Sequence, residues 1–414
     1  MAGTSGYSAG AQTTDAEMSY AVETLWGGGA TMTPPATAFQ AVRITSETLK
    51  INETRQTSNE VRKTRDTPAR ITSQETAGGD ISFEISYATF DDFFSAALGN
   101  DWTAPQDIVL PAASGGVTPG LSLDVASNKL SANVALFSAI PGLGWVRLQN
   151  FANAANNEIF QVRRDSTATA LKFTAANTVS VTETPAYSAT KIWVRAGGSL
   201  VNGNLFKSIW LQKRLSSGLF LQYPGSYPTQ FSLRASVGQA LTGSVTLVSK
   251  TEYSSSSSLS TGNIVAAPQG LVMQPTNGVQ SISVDGAPVS AIVKDLSIQI
   301  ANTGAAGQYG FGSGRAQGML QGSIEVSGSM GLFMRDLSLR DYVRNKQTVA
   351  LSFLLVDGAG QAYGITLPAC QLINPAANIT GKNAPVDDVY TLEANPDPTS
   401  GITIQIDKVP AASA

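Results

Sequence analysis

The stretch that decides the fold runs Leu296-Ser297-Ile298-Gln299-Ile300, then a glycine-rich segment from Gly304 to Gly318, then Leu320-Gln321-Gly322-Ser323-Ile324-Glu325-Val326. Apolar and polar residues alternate on both flanks, the period of strands with one face buried. A short helix is predicted next: Ser338 stands at a capping position, Asp341 three residues on, and Leu339, Tyr342 and Val343 form one apolar stripe. A hairpin closes the unit, Val349 to Val356 and Ala362 to Leu367, joined by Asp357-Gly358-Ala359-Gly360.

The same order occurs earlier in the chain. Leu49-Lys50-Ile51 opens it, a polar loop is predicted from Asn52 to Arg70, and Gly79-Asp80-Ile81-Ser82-Phe83-Glu84-Ile85 follows as a strand. Thr89-Phe90-Asp91-Asp92-Phe93-Phe94 repeats the cap, the acidic position and the stripe of 338–343, and Leu98-Gly99 ends that helix. Leu205 to Leu211 and Leu219 to Tyr223 match the closing hairpin, with Phe231 to Ala235 and Leu241 to Val248 completing the sheet. Four matches in sequence point to an internal duplication. Between the halves of the first copy, Pro and Gly punctuate short strands at 121–125, 144–148, 159–163, 170–173, 179–182 and 192–194, which reads as an inserted all-β module facing outward.

The expected class is therefore mainly β: two tandem copies of one unit, each with one short helix and a long loop, plus the inserted small β module. The segments are an N-terminal arm at 1–38, a first domain at 39–102 and 205–253, the insert at 103–204, a Ser-rich linker and connector at 254–287, and a second domain at 288–414. The five serines Ser254 to Ser258 read as flexible by composition.

A chain of 414 residues holds two or three domains. Net charge is −3, from 27 basic and 30 acidic residues, which argues against a free nucleic-acid binder. The absence of histidine removes the commonest general base and metal ligand, and with it any Ser–His–Asp or Cys–His site. The one cysteine, Cys370, lies in a strand-like run and reads as a small buried apolar residue. Gly307 to Gly314 superficially resembles a phosphate loop but lacks the following Lys-Ser/Thr and opens no helix. Asp91-Asp92 reads as a helix start favouring negative charge. Neither an enzyme nor a cofactor is expected. The polar Met1–Tyr20 stretch shows no secretory leader, and no run reaches membrane-span length, so synthesis in a cytoplasm is expected.

Several blocks resemble the major tail tube proteins of long-tailed, non-contractile (siphovirus-type) bacteriophages. They are Glu47-Thr48-Leu49-Lys50 with the charged loop to Asp66, the strand–helix block Gly78 to Trp102, Phe151 to Arg163, Leu241 to Lys250, Gly364 to Pro368, Gly381-Lys382-Asn383, and Ala394 to Ile406. The match spans most of the chain from about Tyr20 and departs at Met1–Ser19 and from Thr103 to Leu130. The resemblance implies β-sandwich subunits in stacked rings of a virion tail, conducting DNA that is not specifically bound. The implied partners are the protein itself, the tape measure protein and the tail terminator and tip proteins, without a membrane. Single-domain members form six-subunit rings, so two domains per chain imply a homotrimer of pseudo-hexameric character, with a homohexamer as the alternative. Arg55, Arg62, Lys63, Arg65 and Arg70 in the charged loop become candidates for ring-to-ring contact. A carbohydrate-binding or adhesin-like β-protein is the rival reading; it would share the Ser/Thr/Gly-rich strands but would not need a duplicated helix-bearing unit.

Overall fold

Alternating side chains settle seven long strands into one sheet. In the computed structural model, which describes residues 11, 13–110, 120–185, 191–273, 279–378, 381–383 and 385–412, these strands are antiparallel neighbours. Their order is Arg70–Glu84, Thr242–Ser249, Leu219–Ser236, Val293–Thr303, Ser323–Phe333, Asp387–Ala394 and Ala362–Asn378. One face carries Ile81, Phe83, Val245, Phe231, Ile298, Ile300, Met330, Leu392 and Leu372, all buried in a single core that runs through both copies. Removing that much apolar surface from water is the main force holding the sandwich together.

The second layer comes from two hairpins. Ile209–Ser216 pairs with the first half of Leu219–Ser236, and Thr348–Val356 with the first half of Ala362–Asn378. The two long strands thus serve both layers, and each carries a register shift where it changes partners, at Pro228/Gln230 and Ile373/Ala376. Bulges of this kind bend a strand and let it turn from one layer into the other. The first copy meets the second in an ordinary ladder, Gln230 to Ser236 against Ala301 to Asp295, seven pairs without a shift.

The helices form where expected, at Asp91–Leu98 and Ser338–Arg344, and Gly99 ends the first in the left-handed conformation (φ 60°, ψ 44°). The expected caps do not act. Thr89 shares a 2.7 Å hydrogen bond with Ser86 instead, and Ser338 is the first helical residue, its N–H donating to Asp336 Oδ1 at 2.9 Å. Asp336, two positions earlier, does the capping chemistry. The carboxylates of Asp91 and Asp92 do occupy a first turn, yet they also reach across the core: Lys408 Nζ lies 2.9 Å from Asp91, and the hydroxyls of Tyr363 and Tyr20 donate to Asp91 (2.6 Å) and Asp92 (2.8 Å).

The serine run is not a free linker. Tyr253–Ser255 pairs with Phe220 to Gln222, Gln222 Nε2 donates to Ser255 Oγ (3.1 Å), and Gln212 Nε2 donates to Ser258 Oγ (3.0 Å). Gln212 and Gln222 are fully buried, and buried amides need partners, so the serines are fixed by what they satisfy. Farther on, Val279–Val284 adds to the second-layer strand Thr348–Val356, so the connector is part of the sandwich as well. Of the N-terminal arm, residues 1–10 and 12 lie outside the described residues. Glu17–Val22 pairs with Ile209–Ser216 and Gln40–Val42 and buries Met18 and Tyr20.

The described residues between 106 and 196 form two small sheets around a separate core of Leu123, Leu130, Val146, Leu148, Phe160, Val162 and Val194. Val179 to Thr182, expected as a strand, forms none; Asn156 instead binds it through Val181 O (2.8 Å). This module is spliced into the first copy but docked on the second. Trp145 is buried among Ile159, Leu354, Val356, Ala362 and Val409, and a Cβ on Gly364 would lie only 2.1 Å from its ring. Around it Trp145 Nε1 donates to Thr366 (3.3 Å), Ser352 to Gln161 (2.8 Å), and Arg164 pairs with Asp397 (2.7 Å), holding that carboxyl down at about 2. The strand Gln405–Val409 completes the junction, pairing with Ala362 to Thr366 on one side and Ser199–Val201 on the other.

Two outcomes follow from this junction. Trp145→Ala empties a fully buried site and should cost about 3–5 kcal/mol, read as a lowered unfolding midpoint with β structure retained by circular dichroism. Asp407, wholly buried on Gln405–Val409, accepts from Ser199 Oγ and Gln405 Nε2, and burial pushes its carboxyl up to about 7. Unfolded, the same carboxyl titrates near ~3.9. The native state therefore holds the extra proton between those values, and stability falls as pH rises from about 4 to about 7, then levels. Asp407→Asn should match the parent near pH 4 and be the more stable protein at pH 8, with thermal melts across pH as the check. Parallel curves for the two proteins would show that Asp407 is not the titrating group.

Candidate assembly surfaces

The outer face of the long sheet is polar because its residues alternate with the core set. Read across the strands, one row is Glu84, Thr242, Arg234, Ser297, Ser329 and Thr391, and the next is Ser82, Ser244, Ser232, Gln299, Ser327 and Glu393. Hydroxyl pairs tie neighbouring strands, Ser232 to Ser244 at 2.7 Å and Ser297 to Ser329 at 2.8 Å, while Thr246 donates to Asp80 at 2.6 Å. Asp80, Glu84, Asp295, Glu325, Asp387 and Glu393 put negative charge on this face, against Arg234 and a Lys294 already bound to Asp387. The polar positions Ser297, Gln299, Ser323 and Glu325, read from the sequence as one side of two strands, share this single face. Its field disfavours a polyanion lying against it.

Both copies carry an arm at one end of the sheet. In the first, the expected loop from Asn52 to Arg70 is largely a hairpin: Lys50–Thr57 pairs with Arg70 to Gly78, and only 58–69 is irregular. The strand was hidden because KINETRQT is polar on both faces and exposed throughout, so no apolar period marks it, while its backbone still pairs. Arg55 and Arg70 therefore stand on strands, opposite Thr72 and Thr57, and Arg62, Lys63 and Arg65 lie at the tip. Arg55 pairs with Glu53 (2.6 Å) and Arg62 with Glu60 (2.8 Å), exposed pairs of small energetic weight. Among the described residues Lys63, Arg65 and Arg70 form no ion pair, and Val61 at the tip is 98% exposed.

The second arm extends Val293–Thr303 and Ser323–Phe333 through a small hairpin, Ala306–Gln308 with Gly318–Leu320, and ends in a glycine-rich tip bearing a fully exposed Phe311. It leans on the base of the first arm, where Glu75 N donates to Gly314 O (2.8 Å) and Arg315 meets the Glu75 carboxylate (3.3 Å). Arg70–Glu84 and Ser323–Phe333 run the same way in the sheet, so both tips leave from one end. The opposite end exposes apolar side chains: Val237, Ile292, Leu337 and Val386.

The sheet also ends in two open strand edges. From 372 to 378 the strand Ala362–Asn378 pairs with Asp387–Ala394 on one side, and among the described residues no strand occupies the other. At the far side, among the described residues, Ser46–Glu47 and Lys50–Thr57 pair only with Arg70–Glu84. Cys370 is buried, and burial pushes its thiol up to about 12, which suits packing and not nucleophilic chemistry.

These features define a mainly-β protein whose exposed equipment is strand edges and arms. A family model described as phage tail tube protein matches residues 13–396, and the chain belongs to that family. Membership makes it a structural component of the phage tail, with a non-enzymatic role and self-assembly into a tube as its implications. No curated protein matches the chain. Among the described residues, no helix is long and apolar enough to cross a membrane.

Proposed function

We propose that three copies of this chain close into a ring of six sheet segments, and that such rings stack into the tail tube of a long-tailed, non-contractile phage. The observation that supports this best is the ladder joining Gln230 to Ser236 with Ala301 to Asp295. There the strand at the side of one copy's sheet, Leu219–Ser236, pairs with the first long strand of the next, Val293–Thr303. Applied again at the outer edges, the same rule sets the 372–378 edge of one chain against the Ser46 to Asn52 edge of its neighbour. Open edges are a liability in a lone subunit, and closing the ring removes them. The contact is head-to-tail and closes by rotation.

In this reading the two copies are tandem tube domains, 39–102 with 205–253 and 288–414, and the insert at 103–204 decorates the outside. The acidic, hydroxyl-rich face lines the lumen, where basic contacts would add salt-dependent grip and slow DNA during ejection. The arms reach the next ring, with Arg55, Arg62, Lys63, Arg65 and Arg70 on the first arm and the apolar end of the neighbouring sheet as receiver. Tape measure, terminator and tip proteins would meet the lumen and the two tube ends.

The mass of isolated rings tests the stoichiometry: three 43.1 kDa chains are expected, and six would overturn the model. For the arms, Arg62, Lys63 and Arg65 replaced together by Ala should leave melting unchanged, since their side chains are exposed, but should shorten or abolish tubes in electron micrographs. Wild-type tube lengths in that variant would remove the first arm from ring stacking.

A further inference from the structure

The first helix shows what a copy-to-copy contact looks like. Phe94 packs on Phe231 of its own copy (ring centroids 4.4 Å apart) and on Tyr363 of the second (5.8 Å). Ala97 O accepts from Asn302 Nδ2 (3.1 Å), and Asp91 holds Tyr363 and Lys408, also from the second copy. Covered from both sides, Phe93 to Leu98 are all buried. The second helix has its own copy beneath it, and among the described residues no third copy covers its other side. Only Leu339 is buried there; Tyr342 and Val343, which match Phe93 and Phe94, are half-buried, and Leu337 just ahead is 47% exposed.

We infer that this uncovered side of the second helix, Leu337 with Tyr342 and Val343, is an interface taken by the Leu219–Ser236 hairpin of a second copy of this chain. The internal contact names the partner surface. Tyr363, which covers the first helix, is the second residue of Ala362–Asn378; the matching residue of the first copy is Phe220, second in Leu219–Ser236. Phe220 is half-buried and Leu219 beside it is 54% exposed, so an apolar pair stands open there too. The contact is narrow. Where the first helix continues with buried Ser95-Ala96-Ala97-Leu98, the second continues with exposed Arg344-Asn345-Lys346-Gln347.

This inference rests on the ring reading, and the test separates the two. A Val343→Cys, Phe220→Cys double variant should give covalent chain-to-chain multimers on oxidation of assembled material, with each single variant as control; the native Cys370 is buried. Tyr342→Asp should raise the concentration needed for assembly at least tenfold while circular dichroism stays native. If the parent protein assembles but the double variant yields no cross-link between chains, or only one within a chain, this interface is wrong and the ring stands. A cross-link obtained while Tyr342→Asp is misfolded still carries the inference. A parent protein that never forms rings overturns both.

Discussion

The backbone ladder between Gln230–Ser236 and Asp295–Ala301 is the constraint on which the rest depends. Every strand presents N–H and C=O groups that must be paired or left to water, and a sandwich with open sides leaves two rows of them. The chain resolves one such pair of rows internally by making its second copy the neighbour of its first. That choice forces one shared core, one continuous polar face and two arms at the same end. It also leaves at the outer sides the kind of edge that it closes in the middle.

Around this ladder the polar groups are placed with little slack. Gln212 and Gln222 sit fully buried and are met by Trp210, Ser255 and Ser258. Asp388 is buried too, and is held by both nitrogens of the Arg340 fork (2.9 and 2.8 Å) and by Tyr390 (2.6 Å). Removing one member of such a set strands the others without water, so these groups specify the packing more than they add net stability.

Strands with one buried face were legible because alternation is the direct imprint of burial; Leu296 to Ile300 needed nothing else. The first arm was not, since Lys50–Thr57 is exposed on both faces and its pairing is carried by backbone alone. Helix positions were readable from Leu339, Tyr342 and Val343, but the capping chemistry moved to Asp336, a carboxylate that loop geometry brings back to the helix start. A polar face could be anticipated strand by strand, as at Ser297 with Gln299 and at Ser323 with Glu325. Which strands adjoin could not, because register across non-consecutive strands leaves no local mark in the chain. Nor did Trp145 announce that the insert docks on the second copy, for its partners Leu354, Val356 and Val409 look like any other strand residues.

The strand Gln405–Val409 also bears on the order in which the protein is made. Ser199–Val201 finds its ladder partner, and Asp407 its hydroxyl, across 208 positions of chain. Contacts of such separation form late, after the intervening chain has been made and its loops closed. While a ribosome is still short of residue 405, the seam between the insert and the second copy stays unfinished, with Trp145 lacking Val409 as a neighbour. The seam is thus among the last parts of the subunit to form, because it needs both the insert and the distant strand that receives it.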